Sequence, residues 1–96
     1  MTTATLQIEH AITDYPTWKA AFDRFVAARI AAGVLRHRIQ HLADDPSFLV
    51  IELDFDTVDR AVAFGQFLHS SVWASPQNAP ALASVPRTRI LHAADD

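Results

Sequence analysis

Val34-Leu35-Arg36-His37-Arg38-Ile39-Gln40-His41-Leu42 and Phe48-Leu49-Val50-Ile51-Glu52-Leu53-Asp54-Phe55 are two alternating runs separated by Ala43-Asp44-Asp45-Pro46-Ser47. The separator is turn chemistry throughout, and the flanking runs have the two-residue period of half-buried strands. In a hairpin whose opposed residue numbers sum to 90, Ile39 faces Ile51, Leu35 faces Phe55 and His37 faces Leu53. On the other side Arg38 meets Glu52 and Arg36 meets Asp54. Directly opposed residues share a face, so this register sorts apolar from charged side chains. A slip of one residue would set Arg38 against Ile51 or Leu53. Sums of 88 or 92 keep the parity, so the faces are fixed more firmly than the pairing.

Working outward, Leu6 to Ile12 alternates with Leu6, Ile8, His10 and Ile12 on one side, which reads as a strand. Asp14-Tyr15-Pro16-Thr17 is a helix start, with Asp14 as N-cap and proline in the first turn. Trp18, Phe22, Phe25, Val26 and Ile30 follow as one apolar stripe, Lys19 and Asp23 form an i,i+4 pair, and Gly33 supplies the stop. Asp56-Thr57 opens a second helix whose stripe is Val58, Ala61, Val62, Gly65 and Leu68, widened by Phe64 and Phe67. Glycine inside a helix costs about 1 kcal/mol relative to alanine, so a close backbone approach is expected at Gly65. Residues 69–71 end or restart that helix. Trp73 to Ser84 holds two prolines and reads as a helical turn plus loop. Arg87 to Ala93 alternates as a last strand, and 94–96 read as a frayed tail.

The order is strand–helix–strand–strand–helix–strand. Right-handed crossovers then place two helices on one face of a four-stranded antiparallel sheet, an α+β, ferredoxin-like arrangement. Leu35, Ile39, Leu49, Ile51, Leu53 and Phe55 should meet the helices. The opposite face carries Arg36, Arg38, Glu52 and Asp54 together with Phe48 and Val50. A lone subunit has little reason to build such a face. Two copies packed through it would enclose paired charges, the form in which buried charge survives. A homodimer is expected.

The 96 residues are half apolar and one-fifth charged, which suits a single globular domain over residues 1–96. A domain of this size buries only about 60–65% of its unfolded surface, so a partner subunit would help. The net charge is −3 and the eight Lys and Arg residues are dispersed, which argues against nucleic acid. Without cysteine there is no disulfide, thiolate metal site or cysteine nucleophile. The N-terminal segment lacks the layout of a signal peptide and no apolar run approaches the ~20 residues that span a bilayer. The expected location is the cytoplasm, with no membrane partner.

Ile8-Glu9-His10-Ala11-Ile12, Asp14-Tyr15-Pro16-Thr17-Trp18-Lys19 with Phe22-Asp23, Leu53-Asp54-Phe55 before the second helix, and the strand led by Pro86 together carry a resemblance. Over nearly all its length the chain resembles the dimeric α+β barrel superfamily, which includes the antibiotic-biosynthesis monooxygenases and small proteins labelled cyclases. The resemblance implies a homodimer whose two sheets form a barrel, with a pocket between each sheet and its helices or loops. It also implies cofactor-independent oxidation of aromatic polyketides. A haem-degrading branch uses Asn, Trp and His. This chain departs from that branch, since its only asparagine, Asn78, falls in the proline-rich loop and not on a strand.

His10 is the candidate catalytic group. It is either a hydrogen-bonded histidine at the end of a core face or a general acid–base, because imidazole titrates near neutrality. Arg38, Glu52 and Asp54 are candidate substrate-binding residues, either as structural ion pairs at a dimer interface or as an anion clamp. Trp73 could stack on an aromatic ligand or plug the dimer seam. Tyr15 flanks the first helix start and is a further binding candidate, whereas Trp18 belongs in the core. His37 and His41 share a face but lie roughly 13 Å apart along a strand, too far for one ion. No metal site and no cofactor are expected. His69, Ser70 and Ser71 make a poor nucleophile–base set, because adjacent helical residues do not face each other. Three functions compete: a cofactor-free monooxygenase or cyclase acting on a small aromatic or polyketide-like molecule, a binding module for such a molecule, and a dimeric interaction module. A cavity behind Trp73 and His10 separates the first two from the third.

Overall fold

The computed structural model describes residues 3–94, so Met1-Thr2 and the Asp95-Asp96 end of the expected tail lie outside the described residues. Strand β1 (Ala4–Ala11) leads into helices α1 (Tyr15–Arg24) and α2 (Val26–Ala32). Strands β2 (Arg36–Leu42) and β3 (Asp45–Phe55), helix α3 (Val58–Phe67) and strand β4 (Arg87–His92) follow. The strands form one sheet in the order β2-β3-β1-β4 with every neighbouring pair antiparallel. This is the ferredoxin-like α+β arrangement expected from the hairpin outward.

The β2–β3 register is the one in which residue numbers sum to 90, with Arg36 opposite Asp54, Arg38 opposite Glu52 and Ile39 opposite Ile51. The turn is tighter than its sequence suggests. Leu42 pairs with Asp45 after a register shift at His41/Leu42, and β3 begins at Asp45. The Asp45 Oδ1 accepts from the Ser47 amide at 3.1 Å and the Ser47 hydroxyl at 2.7 Å, which fixes the bend. Both helix starts are capped as read: Asp14 Oδ2 accepts from Thr17 N at 2.9 Å, and Thr57 Oγ1 accepts from Arg60 N at 3.1 Å. Gly33 has φ 91°, the left-handed stop.

The core lies between the sheet and the helices, with Leu6 and Ile8 of β1, Leu49, Ile51, Leu53 and Phe55 of β3, and Trp18, Ala61, Phe64 and Leu68 above them. Four details differ from the sequence reading. The first helix breaks at Phe25 (φ −98°, ψ 17°), whose N–H bonds the Phe22 carbonyl at 3.2 Å. The Arg29 side chain inserts here: its Nη1 donates to the same carbonyl at 2.5 Å, a known cause of helix kinks. The break rotates the second half of the stripe outward, so Val26 is 50% and Ile30 71% exposed while Arg29 turns inward. Leu35 is 61% exposed, because it precedes β2 at the sheet edge rather than facing a helix.

On α3 the buried line runs through Ala61, Phe64, Gly65 and Leu68, which turns Val58 and Val62 to the flank. At Gly65 no other backbone approaches. A Cβ built there would meet only Leu6 Cδ1 at 3.6 Å and Leu6 Cδ2 at 3.9 Å, which is ordinary contact. Beyond α3 the chain makes a π-helical turn, Leu68–Val72. The Ser70 hydroxyl donates to the Gln66 carbonyl at 2.8 Å, competing for the acceptor that the continuing α-helix would use. Trp73 N reaches back to the Leu68 carbonyl at 2.7 Å, five residues earlier. No helix among the described residues is long and apolar enough to cross a membrane.

The sheet face away from the helices carries polar rows. Arg38 donates to Glu52 Oε1, Gln7 Nε2 donates to Glu52 Oε2 at 3.0 Å, and Arg89 Nε donates to Gln7 Oε1 at 2.8 Å. One hydrogen-bonded line therefore crosses all four strands. In the adjacent row Arg36 Nε and Thr5 Oγ1 donate to the two oxygens of Asp54, at 2.6 and 2.7 Å.

Candidate functional site

The inward side of β1 and β3 is roofed on one flank by α1 and α2 and on the other by α3, the π-helical turn and the loop that follows. Between the roofs lies a cavity of about 70 Å³, several times what a single water needs. Ile8 and His10 of β1 and Ile51 and Leu53 of β3 form its floor. Trp18, Phe22, Phe25 and Arg29 make one wall, and Trp73, Asn78 and Leu82 the other.

The loop holding the second wall is tied to its surroundings. Thr13 N and Ala83 N donate to the carbonyls of Ala81 and Ala11, each at 3.0 Å, and Ile12 bridges Leu82. Arg24 Nη2 reaches the Gln77 carbonyl at 3.3 Å, and Asn78 Nδ2 donates to the Ser71 carbonyl at 2.9 Å. Trp73 is half-buried and stands edge-on to His69 at 4.7 Å between ring centroids.

His10 ends the alternating face of β1 and is 2% exposed. Its Nδ1 donates to the Ala11 carbonyl at 3.1 Å, which fixes the tautomer and leaves Nε2 as the unprotonated nitrogen. Burial lowers its pKa from 6.5, against a smaller opposing effect of the Ala11 hydrogen bond, so the ring is neutral at pH 7. The His10, Trp18 and Phe22 rings run in series, 6.1 Å tilted and then 5.0 Å stacked. The Arg29 guanidinium caps the series with its carbon 3.7 Å from the Phe22 centroid.

The structure brings His10 and Trp73 to the cavity. Arg38, Glu52 and Asp54 are on the far face of the sheet, engaged in the polar rows described above. Hydrogen bonds from Arg38 and Gln7 hold Glu52 below the usual carboxylate range. Burial pushes Asp54 up, but hydrogen bonds from Thr5 and Arg36 outweigh it and leave the pKa lowered. Tyr15 is exposed beside Trp18 at 5.9 Å, outside the cavity. His37 lies edge-on to Phe22 at 5.4 Å, while His41 Nδ1 donates to the Leu42 carbonyl at 2.8 Å. Ser70 and Ser71 are exposed, with Ser70 committed to Gln66.

Two cavity residues escape sequence reasoning. Arg29 is a charged residue in an apolar helix, and only the break at Phe25 turns it inward. Asn78 lies in a loop without periodicity. The isolated arginine between Ala28 and Ile30 was the one available signal.

No family model matches the sequence, and no curated protein matches it. Solved structures do match in fold. A protein of Nitrosomonas europaea, provisionally assigned as an antibiotic biosynthesis monooxygenase, has TM-score 0.67 at 22% identity, over 97% of this chain and 90% of that one. A Bordetella bronchiseptica protein with the same provisional assignment has TM-score 0.73 at 12% identity, over 95% and 96%. A dimeric ferredoxin-like protein from an uncultured marine organism has TM-score 0.65 at 8% identity, over 100% and 91%. The chain therefore shares the fold of these proteins, a ferredoxin-like α+β arrangement.

Proposed function

We propose that this chain is a homodimeric, cofactor-independent enzyme of monooxygenase or cyclase type that takes a small aromatic molecule into the cavity between sheet and helices. The observation that carries this reading is His10: a buried imidazole, neutral at pH 7, with Nδ1 tied to a carbonyl and Nε2 unprotonated, on a residue that lines an aromatic-walled cavity. A base of this kind removes a proton from an activated carbon or phenol and leaves the charge delocalised over the substrate's rings. Cyclisation then needs no further reactant. Oxygenation uses O₂: an activated CH₂ becomes a carbonyl, one oxygen atom enters the product and the other leaves as water. Trp18 and Trp73 stack on the substrate and exclude water.

The open sheet face pairs with that of a second copy. Half-buried Phe48 and Val50, and carboxylates already neutralised by Arg36 and Arg38, support this assembly. Arg38, Glu52 and Asp54 are interface residues in this reading, and they reach a ligand only if the paired sheets leave one a place. Light scattering at micromolar concentration should give twice the 10.6 kDa chain mass, and a monomer refutes the assembly. The enzyme reading is tested by oxygen uptake and product analysis with anthrone- and phenol-type substrates, using His10→Gln and Trp73→Ala as controls. Turnover unchanged in both variants removes the site. Ligand binding without turnover by any substrate favours the binding-module alternative, which the single proton acceptor among the titratable cavity residues also suits.

A further inference from the structure

The cavity's second titratable residue is Arg29, and its surroundings are unusual for a cation. It is 7% exposed, and among the described residues no carboxylate lies within ion-pair distance of it. Asp23, which acts on it electrostatically, is bound to Lys19 at 2.7 Å on the outer side of α1. A guanidinium has five N–H donors. Arg29 spends one on the Phe22 carbonyl and rests its flat face on the Phe22 ring. Buried charges are ordinarily paired, and an apolar replacement is often no less stable. An arginine kept here, open to a cavity and lacking an anion, has the chemistry of a docking point for one.

We propose that the cavity's ligand is an aromatic molecule bearing a carboxylate, whose anion pairs with Arg29 and whose ring lies against Trp18, Phe22 and Trp73. This names the ligand class for the cavity and rests on the reading that the cavity takes a small molecule. The planar fork of arginine matches a carboxylate in bidentate fashion, and the adjoining ring series supplies the apolar contact. The Trp18 side chain lies between His10 and Phe22 in that series. A ring stacked there spans from the cation towards the base, so the carboxylate would set which carbon faces Nε2.

The test uses matched probes that differ only in the anion: phenylacetate against 2-phenylethanol, and benzoate against benzyl alcohol. Binding to the full chain at pH 7 is followed by ¹H–¹⁵N spectra, where the two tryptophan indoles report directly. The wild type should bind each acid at least tenfold more tightly than its alcohol, the preference falling as salt is raised. Arg29→Met should abolish the preference, and Arg29→Lys should retain part of it. If Arg29→Met does not fold, the Lys variant and the wild-type acid-to-alcohol ratio decide. Equal binding of acid and alcohol to the wild type overturns the Arg29 assignment but leaves the cavity reading standing. No shift of either indole with any probe overturns the cavity reading itself.

Discussion

Replacing Gly65 by alanine should stabilise the fold. Gly65 lies inside α3 and is buried against β1, the setting in which a close backbone contact ordinarily excludes a methyl group. Here the added Cβ meets only the two terminal methyls of Leu6, at 3.6 and 3.9 Å, both ordinary van der Waals distances. The backbone is helical and its φ is not positive. What remains is the helix-propensity difference, about 0.5–1 kcal/mol in favour of alanine, acting largely through the unfolded chain. For a domain of this size about 1 kcal/mol moves Tm by roughly 4–8 °C, so a rise of about 2–8 °C is expected. Thermal unfolding by circular dichroism and urea midpoints measure it, both at one fixed protein concentration because the proposed dimer would make stability depend on concentration. Were α3 seated closer to the sheet, the methyl group would cost roughly 1–3 kcal/mol as overpacking. A fall in both Tm and urea midpoint would thus refute the placement of α3 over Leu6.

Three further outcomes are expected. Burial holds His10 below its ordinary 6.5, so the unfolded chain binds a proton that the folded chain refuses. The contribution of His10 is complete above about pH 6.5 and declines as pH falls below it; in His10→Gln the loss of urea midpoint between pH 7 and 5 should be shallower, and parallel curves would contradict this. Thr57→Ala removes the acceptor for Arg60 N and should cost about 1 kcal/mol in urea unfolding, with an unchanged midpoint showing that the cap is idle. Leu49→Ala empties a side chain that is 1% exposed and does not line the cavity. It should cost about 2–5 kcal/mol, and a cost under 1 kcal/mol would mean that the core at β3 is loose.

The hairpin was readable because its information is local. Alternation fixes faces, opposed charges fix partners, and one turn joins the two runs, so Arg36–Asp54 and Arg38–Glu52 could be paired from residue numbers alone. Helix starts were readable for the same reason, since Asp14 and Thr57 act over three residues. The second half of the first helix was not. Its apolar stripe presumes an unbroken 3.6-residue period, and the break at Phe25 depends on Arg29 reaching a carbonyl seven residues away. That same contact hid a cavity residue, because a charged side chain on an amphipathic helix is assigned to water by default. His10 and Trp73 could be named but not joined to Arg29, since their meeting needs the loop to close against β1 through Thr13, Ala81 and Ala83.

The π-helical turn at Leu68–Val72 bears on how such a cavity could come to differ among related chains. An α-helix advances about 100° per residue, so a turn that houses one extra residue rotates everything after it by more than a quarter turn. The buried contacts of Ala61 and Phe64 lie upstream and are untouched, while Trp73 is re-aimed against a loop that stays tied to β1 through Ala81, Leu82 and Ala83. Gain or loss of a single codon in this stretch is therefore an economical evolutionary step. It would re-aim one side of the chamber without disturbing the sheet, the core or the hydrogen-bonded hairpin on which the rest of the molecule stands.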